Sequence, residues 1–514
     1  MNGAESLILT ALAAGVDVCF ANPGTTEMPL VAALDAVPGM RAVLGLFEGV
    51  CTGAAVGYAR MKDRPALTLT HLGPGFANGI ANLHNARRAH SPVVNIVGDQ
   101  ATWHLAADAP LTSDIASLAR PVSGWIRQVK TPAEVARDTA EAIAAAGGIP
   151  GKIATLIVPS DCQWEAASAS AAAIKPAPAK AVSEHAIATC AELLRRHGAK
   201  AALFLGGMSL RERGLEAAAR IAAKIGCTLV CETFPSRIER GGAMPAVLKL
   251  PYFPEQALEM LSKYAAMVVV GTRAPVAFFG YPNLPSSLVP EGQVVETLAS
   301  VENDSAAALE VLADALGASG NLPNTSSPRP GRPAGELNAQ TIGAALSALM
   351  PENCIIMDEA ATTGLPFFMN SSSAPPHTYL GLTGGAIGQG LPCATGAAVA
   401  CPDRKVIAFQ ADGGGMYTVQ ALWTQAREHL NVTNLICNNR RYRILQVELA
   451  RSGVTEPGRK AHMLTSLAQP EIDWSRMANG LGVPAVRVDN AESLCRELER
   501  ALKEPGPNLV ELLI

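Results

Sequence analysis

The chain has 514 residues, of which 49% are hydrophobic, and its 41 basic and 45 acidic side chains leave a formal net charge of −4. That length is more than one ordinary core accommodates, so about two to four domains are expected. Acids and bases are mixed without a basic tract, which argues against a nucleic-acid partner, and no apolar run approaches the ~20 residues of a membrane-spanning helix.

From the N-terminus, Leu7 to Val16 is apolar but is preceded by Glu5 and by no basic segment, so it reads as a core helix rather than a signal peptide. Asp17–Phe20 reads as a strand, followed by a turn at Asn22-Pro23-Gly24; Ala66–Thr70 and Val93–Val97 read as further strands. An Ala/Ser/Pro-rich segment, Ala166–Val182, then interrupts the pattern. Ala202–Leu205, Thr228–Val230 and Met267–Val270 alternate with helices up to a second interruption, the Gly/Ser/Pro-rich Gly317–Gly335. Ile355–Met357, Val406–Phe409 and Asn434–Cys437 are the strands of the last piece. There, Tyr417–His429 carries Val419, Leu422, Trp423 and Ala426 at helical spacing. Three domains are expected, at 1–165, 183–316 and 336–514. Each is α/β with a doubly wound parallel sheet, the first and third sharing a topology. The eleven cysteines form no Cys-x-x-Cys pair and read as reduced, mostly buried thiols of a cytoplasmic protein.

Two constellations carry chemistry. Asp412 follows Val406–Phe409, and Asn438-Asn439 close Asn434–Cys437. An acid and an amide thus fall at the carboxyl ends of neighbouring parallel strands, where open α/β sheets bind ligands. Beside the Gly413-Gly414 turn, two hard oxygen ligands suit a Mg²⁺ ion holding a diphosphate; the same residues also fit a plain turn and a capped strand end. In the first piece, Glu48 sits where the apolar run Leu44–Val50 meets a small-residue helix, Cys51–Arg60. A carboxylate there is costly without a partner, although, taken alone, a helix N-terminal acid stabilised by the dipole is the simpler account.

Ala411-Asp412-Gly413-Gly414 followed by Asn438-Asn439 resembles the thiamin-diphosphate (ThDP) motif GDG…NN, with Ala411 in place of the first glycine. Three further segments occur in order: Asn22-Pro23-Gly24-Thr25-Thr26-Glu27; Glu48-Gly49 with Ala54-Ala55 and Gly57-Tyr58-Ala59; and Gly73-Pro74-Gly75 with Asn78. They resemble the pyrimidine-binding domain of the ThDP-dependent decarboxylase and carboligase family, which includes acetolactate synthase, benzoylformate decarboxylase and pyruvate decarboxylase. The resemblance spans essentially the whole chain. It implies a pyrimidine-binding, a central and a diphosphate-binding domain in that order. It implies that Glu48 is the cofactor-activating glutamate, bonded to the pyrimidine N1′ so that the imino form takes the C2 proton and the resulting ylid attacks a carbonyl. Asp412, Asn439 and the Arg441 carbonyl match the Mg²⁺ ligands. Gly413 and Gly414 match the diphosphate turn. In Thr383–Gly388, Gly385 lines the cofactor and Ile387 props its bent shape. Ala361 and Thr362 match a segment near the diphosphate and pyrimidine. Because Glu48 and Asp412 fall in different domains, the family's arrangement implies a homodimer with sites at its interface, often paired into a homotetramer.

The substrate-side residues bear on the reaction. His71 matches an active-site histidine of benzoylformate decarboxylase, where acetolactate synthases carry a small residue, and Thr25 matches its active-site serine. Such a pair could hold a 2-oxo acid and move protons; a structural or capping histidine is the alternative. The family's second histidine has no counterpart in Ala274–Tyr281. Its loss implies slow protonation of the enamine and hence ligation to a second carbonyl. The central piece reads Gly271-Thr272-Arg273-Ala274-Pro275 where FAD-binding members carry an RFDDR-like stretch, and Gly206-Gly207 is at most a weak dinucleotide signal, so FAD is not expected. The expected activity is an acetolactate synthase-like carboligase or decarboxylase acting on a 2-oxo acid. A benzoylformate-type decarboxylase and a non-catalytic ThDP-binding homologue are the alternatives, and Glu48 argues against the latter, since binding alone does not require it. Phe278, Phe279 and Tyr281 read as packing. His84, His90 and His104 fit no zinc spacing, with His104 a candidate for the pocket entrance. Arg440, Arg441 and Arg443 either meet an anion or are solvated.

Overall fold

The computed structural model describes residues 1–167, 169–318 and 328–514. Ser168 of the first interruption and residues 319–327 of the second lie outside the described residues. The chain forms two compact units: Met1–Ala177 with Gly331–Phe367 and Leu382–Ile514, and Pro178–Pro330 with Phe368–Gly381.

The first unit contains two parallel sheets. In the N-terminal sheet the strands run, in spatial order, Arg41–Leu44, Val18–Asn22, Ala66–Thr70, Val93–Asp99, Ile153–Pro159 and Trp125–Gln128. Ala66–Thr70, Val93–Asp99 and Ile153–Pro159 are buried along their whole length. This is the signature of parallel strands covered on both faces. The Gly3–Ala13 helix begins with an Asn2–Glu5 capping box and packs Leu7 and Ile8 into a core with Leu67, Leu69, Val94, Ile96 and Leu156. The second sheet contains Ile355–Glu359, Val406–Ala411, Val432–Asn438, Asn508–Leu513 and Ala485–Val488, side by side in that order and parallel. Without its outer strand Arg41–Leu44, the N-terminal sheet has the same order, first-second-third-fifth-fourth along the chain. The first and third pieces therefore share a topology.

The two sheets are joined through the helices Glu48–Lys62 and Gly390–Ala400. A Cβ at Gly57 would lie 1.9 Å from the Cys393 carbonyl oxygen, and one at Gly396 1.7 Å from that of Ala54, so only glycine permits this backbone-to-backbone approach. The helix expected over Tyr417–His429 is shorter. The three glycines after Asp412 occupy a short Asp412–Gly415 turn of helix. A 3₁₀ turn follows over Met416–Thr418, where Thr418 Oγ1 donates to the Gly388 carbonyl at 2.8 Å, and regular helix covers only Ala421–Arg427.

The second unit holds a parallel sheet in the order Leu248–Lys249, Thr228–Cys231, Ala201–Leu205, Ala266–Val270 and Val294–Ala299. Beside it, Ile238–Arg240 pairs antiparallel with His377–Gly381, and the Arg240 guanidinium lies 3.8 Å from the Phe368 ring centroid. Among the described residues, no helix is long and apolar enough to cross a membrane.

Candidate active site

The N-terminal sheet reverses its winding at Val18–Asn22, whose neighbours are Arg41–Leu44 on one side and Ala66–Thr70 on the other. A crevice opens at the carboxyl ends of strands at such a switch point. Two segments meet there: Gly24–Glu27, after the first strand, and His71, after the third. Glu27 has no exposed surface. Its Oε2 accepts the Gly24 N–H at 2.7 Å and lies 2.7 Å from His71 Nδ1, while Thr26 Oγ1 donates to Oε1 at 2.5 Å. Gly24 is pressed against the imidazole, since a Cβ there would lie 2.3 Å from the ring. Burial pushes the neighbouring Asp99 carboxyl up to about 6, helped by the like charge of Glu27 and opposed by donors from Gln100 and Gln128.

Thr25, the sequence-level candidate, is exposed, and Thr26 is the threonine beside His71, at 3.3 Å from Nδ1. Sequence reasoning also missed Glu27. The available signal was its spacing: an acid three residues after Gly24 reaches back to that residue's N–H, as in a capping box.

Glu48 opens the Glu48–Lys62 helix and is 8% exposed. Its Oε2 accepts from Asn78 Nδ2 at 3.0 Å. Gly75 lies between Glu48 and His71; a Cβ there would stand 2.9 Å from Glu48 Oε1 and 3.3 Å from His71 Cβ. Asn78 belongs to an asparagine stripe on the Leu72–Arg88 helix. Asn82 Nδ2 donates to the Gly49 carbonyl at 2.8 Å and reaches that of Gly388 at 3.5 Å, and Asn85 grips Ala386. His84 Nε2 meets the Gly384 carbonyl at 3.0 Å. The segment containing Gly385 and Ile387 is therefore held by the helix that carries Asn78.

A second crevice forms at the carboxyl ends of three adjacent strands, which end at or before Glu359, Asp412 and Asn439. Asp412 is 2% exposed. Its carboxylate accepts the backbone N–H of Gly413 and that of Arg440, each at 2.8 Å. Burial raises its affinity for a proton, against the pull of these N–H groups. It has no ion-pair partner among the described residues, and a buried carboxylate without one invites a cation. Asn439 Oδ1 accepts the Arg441 N–H at 3.1 Å, and the chain turns here through a left-handed Arg440, φ 57°. Among the described residues no group of three or more His, Cys, Asp or Glu side chains could hold a metal ion. Here the donor set is one carboxylate with neutral amide and carbonyl oxygens, which are hard ligands of the kind Mg²⁺ takes.

Gly413 and Gly414 keep the floor of this crevice bare. A Cβ at Gly413 would lie 2.4 Å from the Tyr442 ring, and one at Gly414 2.8 Å from Glu359 Oε1. Glu359 accepts the Gly388 N–H at 2.6 Å and also the N–H of Gly390. Burial pushes its carboxyl up to about 7 although both N–H groups favour the charged form. Ala361 and Thr362 lie exposed just beyond, Ala361 at φ 51°. No hydrogen bond or ion pair joins Glu48 or His71 to Asp412 or Asn439 among the described residues; Asn82 links the backbone at Gly49 to that at Gly388. His104 stacks edge-on with the exposed Trp103, Phe278 packs with Phe234, Tyr252 and Phe279, and Arg441 and Arg443 are exposed.

Residues 1–118 match the thiamine pyrophosphate enzyme N-terminal TPP binding domain, and residues 366–512 match its C-terminal TPP binding domain. The chain is 48% identical to a Mycobacterium tuberculosis protein provisionally named acetolactate synthase large subunit IlvX, covering 100% of this chain and 99% of that protein. It is 29% identical to a benzoylformate decarboxylase of Pseudomonas aeruginosa, covering 97% and 96% of the two. In fold it is similar to the thiamine diphosphate-dependent 4-hydroxybenzoylformate decarboxylase of Rhodococcus jostii, with a TM-score of 0.88 at 24% identity over 100% of this chain and 99% of that one. The chain belongs to the thiamine pyrophosphate-dependent enzymes, whose two cofactor-binding domains include Glu48 and Asp412 respectively.

Proposed function

We propose that the chain is a ThDP- and Mg²⁺-dependent carboligase or decarboxylase of 2-oxo acids, related in activity to acetolactate synthase. The observation that carries this reading is the presence in one chain of a buried Glu48, hydrogen-bonded by Asn78, and of a buried Asp412, with no ion-pair partner among the described residues, beside a bare glycine floor. Asp412, Asn439 and the Arg441 carbonyl would hold Mg²⁺. Gly413 and Gly414 leave room for the diphosphate, and Gly385, Ile387, Ala361 and Thr362 border the rest of the cofactor. When bound, ThDP supplies the electron sink that lets a 2-oxo acid lose its carboxylate. Glu48, one oxygen of which is fixed by Asn78, would be the group that exchanges a proton with the cofactor's aminopyrimidine. His71 moves protons on the substrate side of the crevice, and Thr25 lies on the Gly24–Glu27 segment that meets it there.

The expected three-domain division at 1–165, 183–316 and 336–514 assigns the two halves of the site to the first and last domains. Because Glu48 and Asp412 fall in different domains, the arrangement of the family would form complete sites between two copies, in a homodimer and by further pairing a homotetramer. The eleven free cysteines fit a reducing, cytoplasmic setting, and the central domain would work without FAD.

A second reading, a benzoylformate-type decarboxylase, is favoured by the Glu27–His71 pair, which equips the crevice to deliver a proton and release an aldehyde. Product analysis with ThDP, Mg²⁺ and either pyruvate or benzoylformate separates the two. An acyloin or acetolactate supports the carboligase, and free aldehyde alone supports the decarboxylase. ThDP binding without turnover of either acid would exclude both substrates and leave another 2-oxo acid or a non-catalytic homologue.

A further inference from the structure

We infer that Glu27 is the positioning residue of this site. It fixes His71 in the tautomer that carries its proton on Nδ1 and leaves a free electron pair on Nε2. The inference rests on the reading of His71 as the substrate-side proton carrier.

The geometry leaves Glu27 little choice of role. It has no exposed surface, and its carboxylate accepts from the Gly24 N–H and the Thr26 hydroxyl, with His71 Nδ1 at 2.7 Å from Oε2. An ionised carboxylate only accepts hydrogen bonds, so an imidazole nitrogen at that distance must donate. The Thr26 hydroxyl lies nearer to Oε1, at 2.5 Å, than to His71 Nδ1, at 3.3 Å. Its proton is committed to the carboxylate and does not compete for the ring. Two glycines make the arrangement rigid. A Cβ at Gly98 would fall 1.6 Å from Glu27 Oε1, and one at Gly24 would fall 2.3 Å from the His71 ring. The His71 side chain is 21% exposed, and no hydrogen bond to its Nε2 is formed among the described residues. One ring nitrogen is thus locked by a buried anion and the other is available to substrate. The other charged groups facing the pair are Asp99, from the next strand, and Glu48, across Gly75.

In the proton step, Nε2 of neutral His71 accepts one proton from substrate or water. The ring becomes an imidazolium that keeps its Nδ1 bond to the Glu27 carboxylate. The proton then passes from Nε2 to the reacting atom and the neutral ring is restored. Nδ1 keeps its proton throughout.

The test is NMR of the histidine ring nitrogens in the full-length protein, with the His71 signal assigned by its loss in His71→Ala, beside steady-state kinetics of Glu27→Gln and Glu27→Asp. The expected wild-type His71 is protonated on Nδ1 and not on Nε2, and Glu27→Leu, which offers Nδ1 no acceptor, loses that preference. Kinetically, Glu27→Gln lowers kcat at least tenfold with KM within about threefold, in the range of a general acid–base contribution, and Glu27→Asp recovers part of the loss. A wild-type His71 protonated on Nε2, or an unchanged tautomer in Glu27→Leu, overturns the inference even if the variants fold poorly. If His71→Ala turns over like wild type, the substrate-side reading of His71 fails instead, while the tautomer measurement still decides the role of Glu27.

Discussion

The side-chain amide of Asn85 closes on both polar backbone atoms of Ala386: Nδ2 donates to the carbonyl at 2.7 Å and Oδ1 accepts the N–H at 3.2 Å. The next residue is Ile387. A segment rich in glycine has little stiffness of its own, so this grip, with Glu359 holding Gly388 and Gly390 from below, sets where Ile387 stands. Asn85→Ala leaves two backbone groups without their partner, a loss of about 1–3 kcal/mol. The expected outcome is a lower Tm and a several-fold weaker affinity for ThDP, measured by thermal unfolding and by cofactor titration. A fall in Tm with unchanged ThDP affinity would show that the segment serves the fold and not the cofactor.

Glu48→Gln preserves the shape of the side chain and a carbonyl oxygen for Asn78 but removes the exchangeable proton. A general acid–base group contributes about 10²–10⁴ in rate, so kcat on any accepted 2-oxo acid should fall by that order while ThDP still binds. Comparing turnover with cofactor titration checks this. Equal losses in binding and turnover would reduce Glu48 to a structural contact.

Much of the fold was legible because its parallel strands are buried on both faces and therefore appear as short apolar runs: Ala66–Thr70 was read to the residue, and Val406–Ala411 to within two. The helix after Asp412 was read too long. Hydrophobic period cannot register a backbone tightened to 3₁₀ at Met416–Thr418 by a bond to Gly388. In the site, Glu48 and Asp412 stood out as acids at the ends of apolar runs. Glu27 and Asn85 did not, because their meaning lies in partners brought close only by folding, His71 and Ala386. The sequence likewise singled out Thr25, whereas the turn of the chain places Thr26 against His71.

Glu359 gives the protein a pH signature. Burial pushes its carboxyl up to about 7 from an ordinary 4.5. Between those values the folded state holds more protons than the unfolded one, so this contribution is full below about 4.5 and is lost as pH rises through 7. Its size is at most about 3 kcal/mol. Glu359→Gln does not titrate. It also offers an amide where one backbone N–H now finds an oxygen, so absolute stability falls at every pH. The informative quantity is the slope: from pH 4.5 to 7, unfolding free energy should decline less steeply in Glu359→Gln than in wild type. Parallel denaturation curves across that range would remove Glu359 from the linkage.

Asp412 should reveal itself through ion dependence. It is buried and accepts two backbone N–H groups, and a bound Mg²⁺ would further stabilise the folded state by mass action. Wild type is expected to gain Tm when Mg²⁺ and ThDP are added together. Asp412→Asn, whose amide would face one of the two N–H groups, should start from a lower Tm without them and lose the gain. A gain that survives in Asp412→Asn would put the metal elsewhere.

The crossing of the Glu48–Lys62 and Gly390–Ala400 helices sets how the two cofactor-binding sheets meet within the first unit, and two glycines decide it. The atoms that a Cβ at Gly57 or Gly396 would strike are backbone carbonyls, which cannot rotate aside. Gly57→Ala must therefore push the helices apart, at or above the upper end of the ~1–3 kcal/mol that overpacking costs. Gly480 is the control. It ends the Trp474–Gly480 helix with open space around its Cα, so Gly480→Ala should be neutral or stabilising by about 0.4–1 kcal/mol. Chemical denaturation of the two variants separates a steric crossing from a general aversion to replacing glycine. A Gly57→Ala protein with the wild-type midpoint would mean that the helices cross with more room than a Cβ needs, and the path from Glu48 through Asn82 to Gly388 would then be looser than its hydrogen bonds imply.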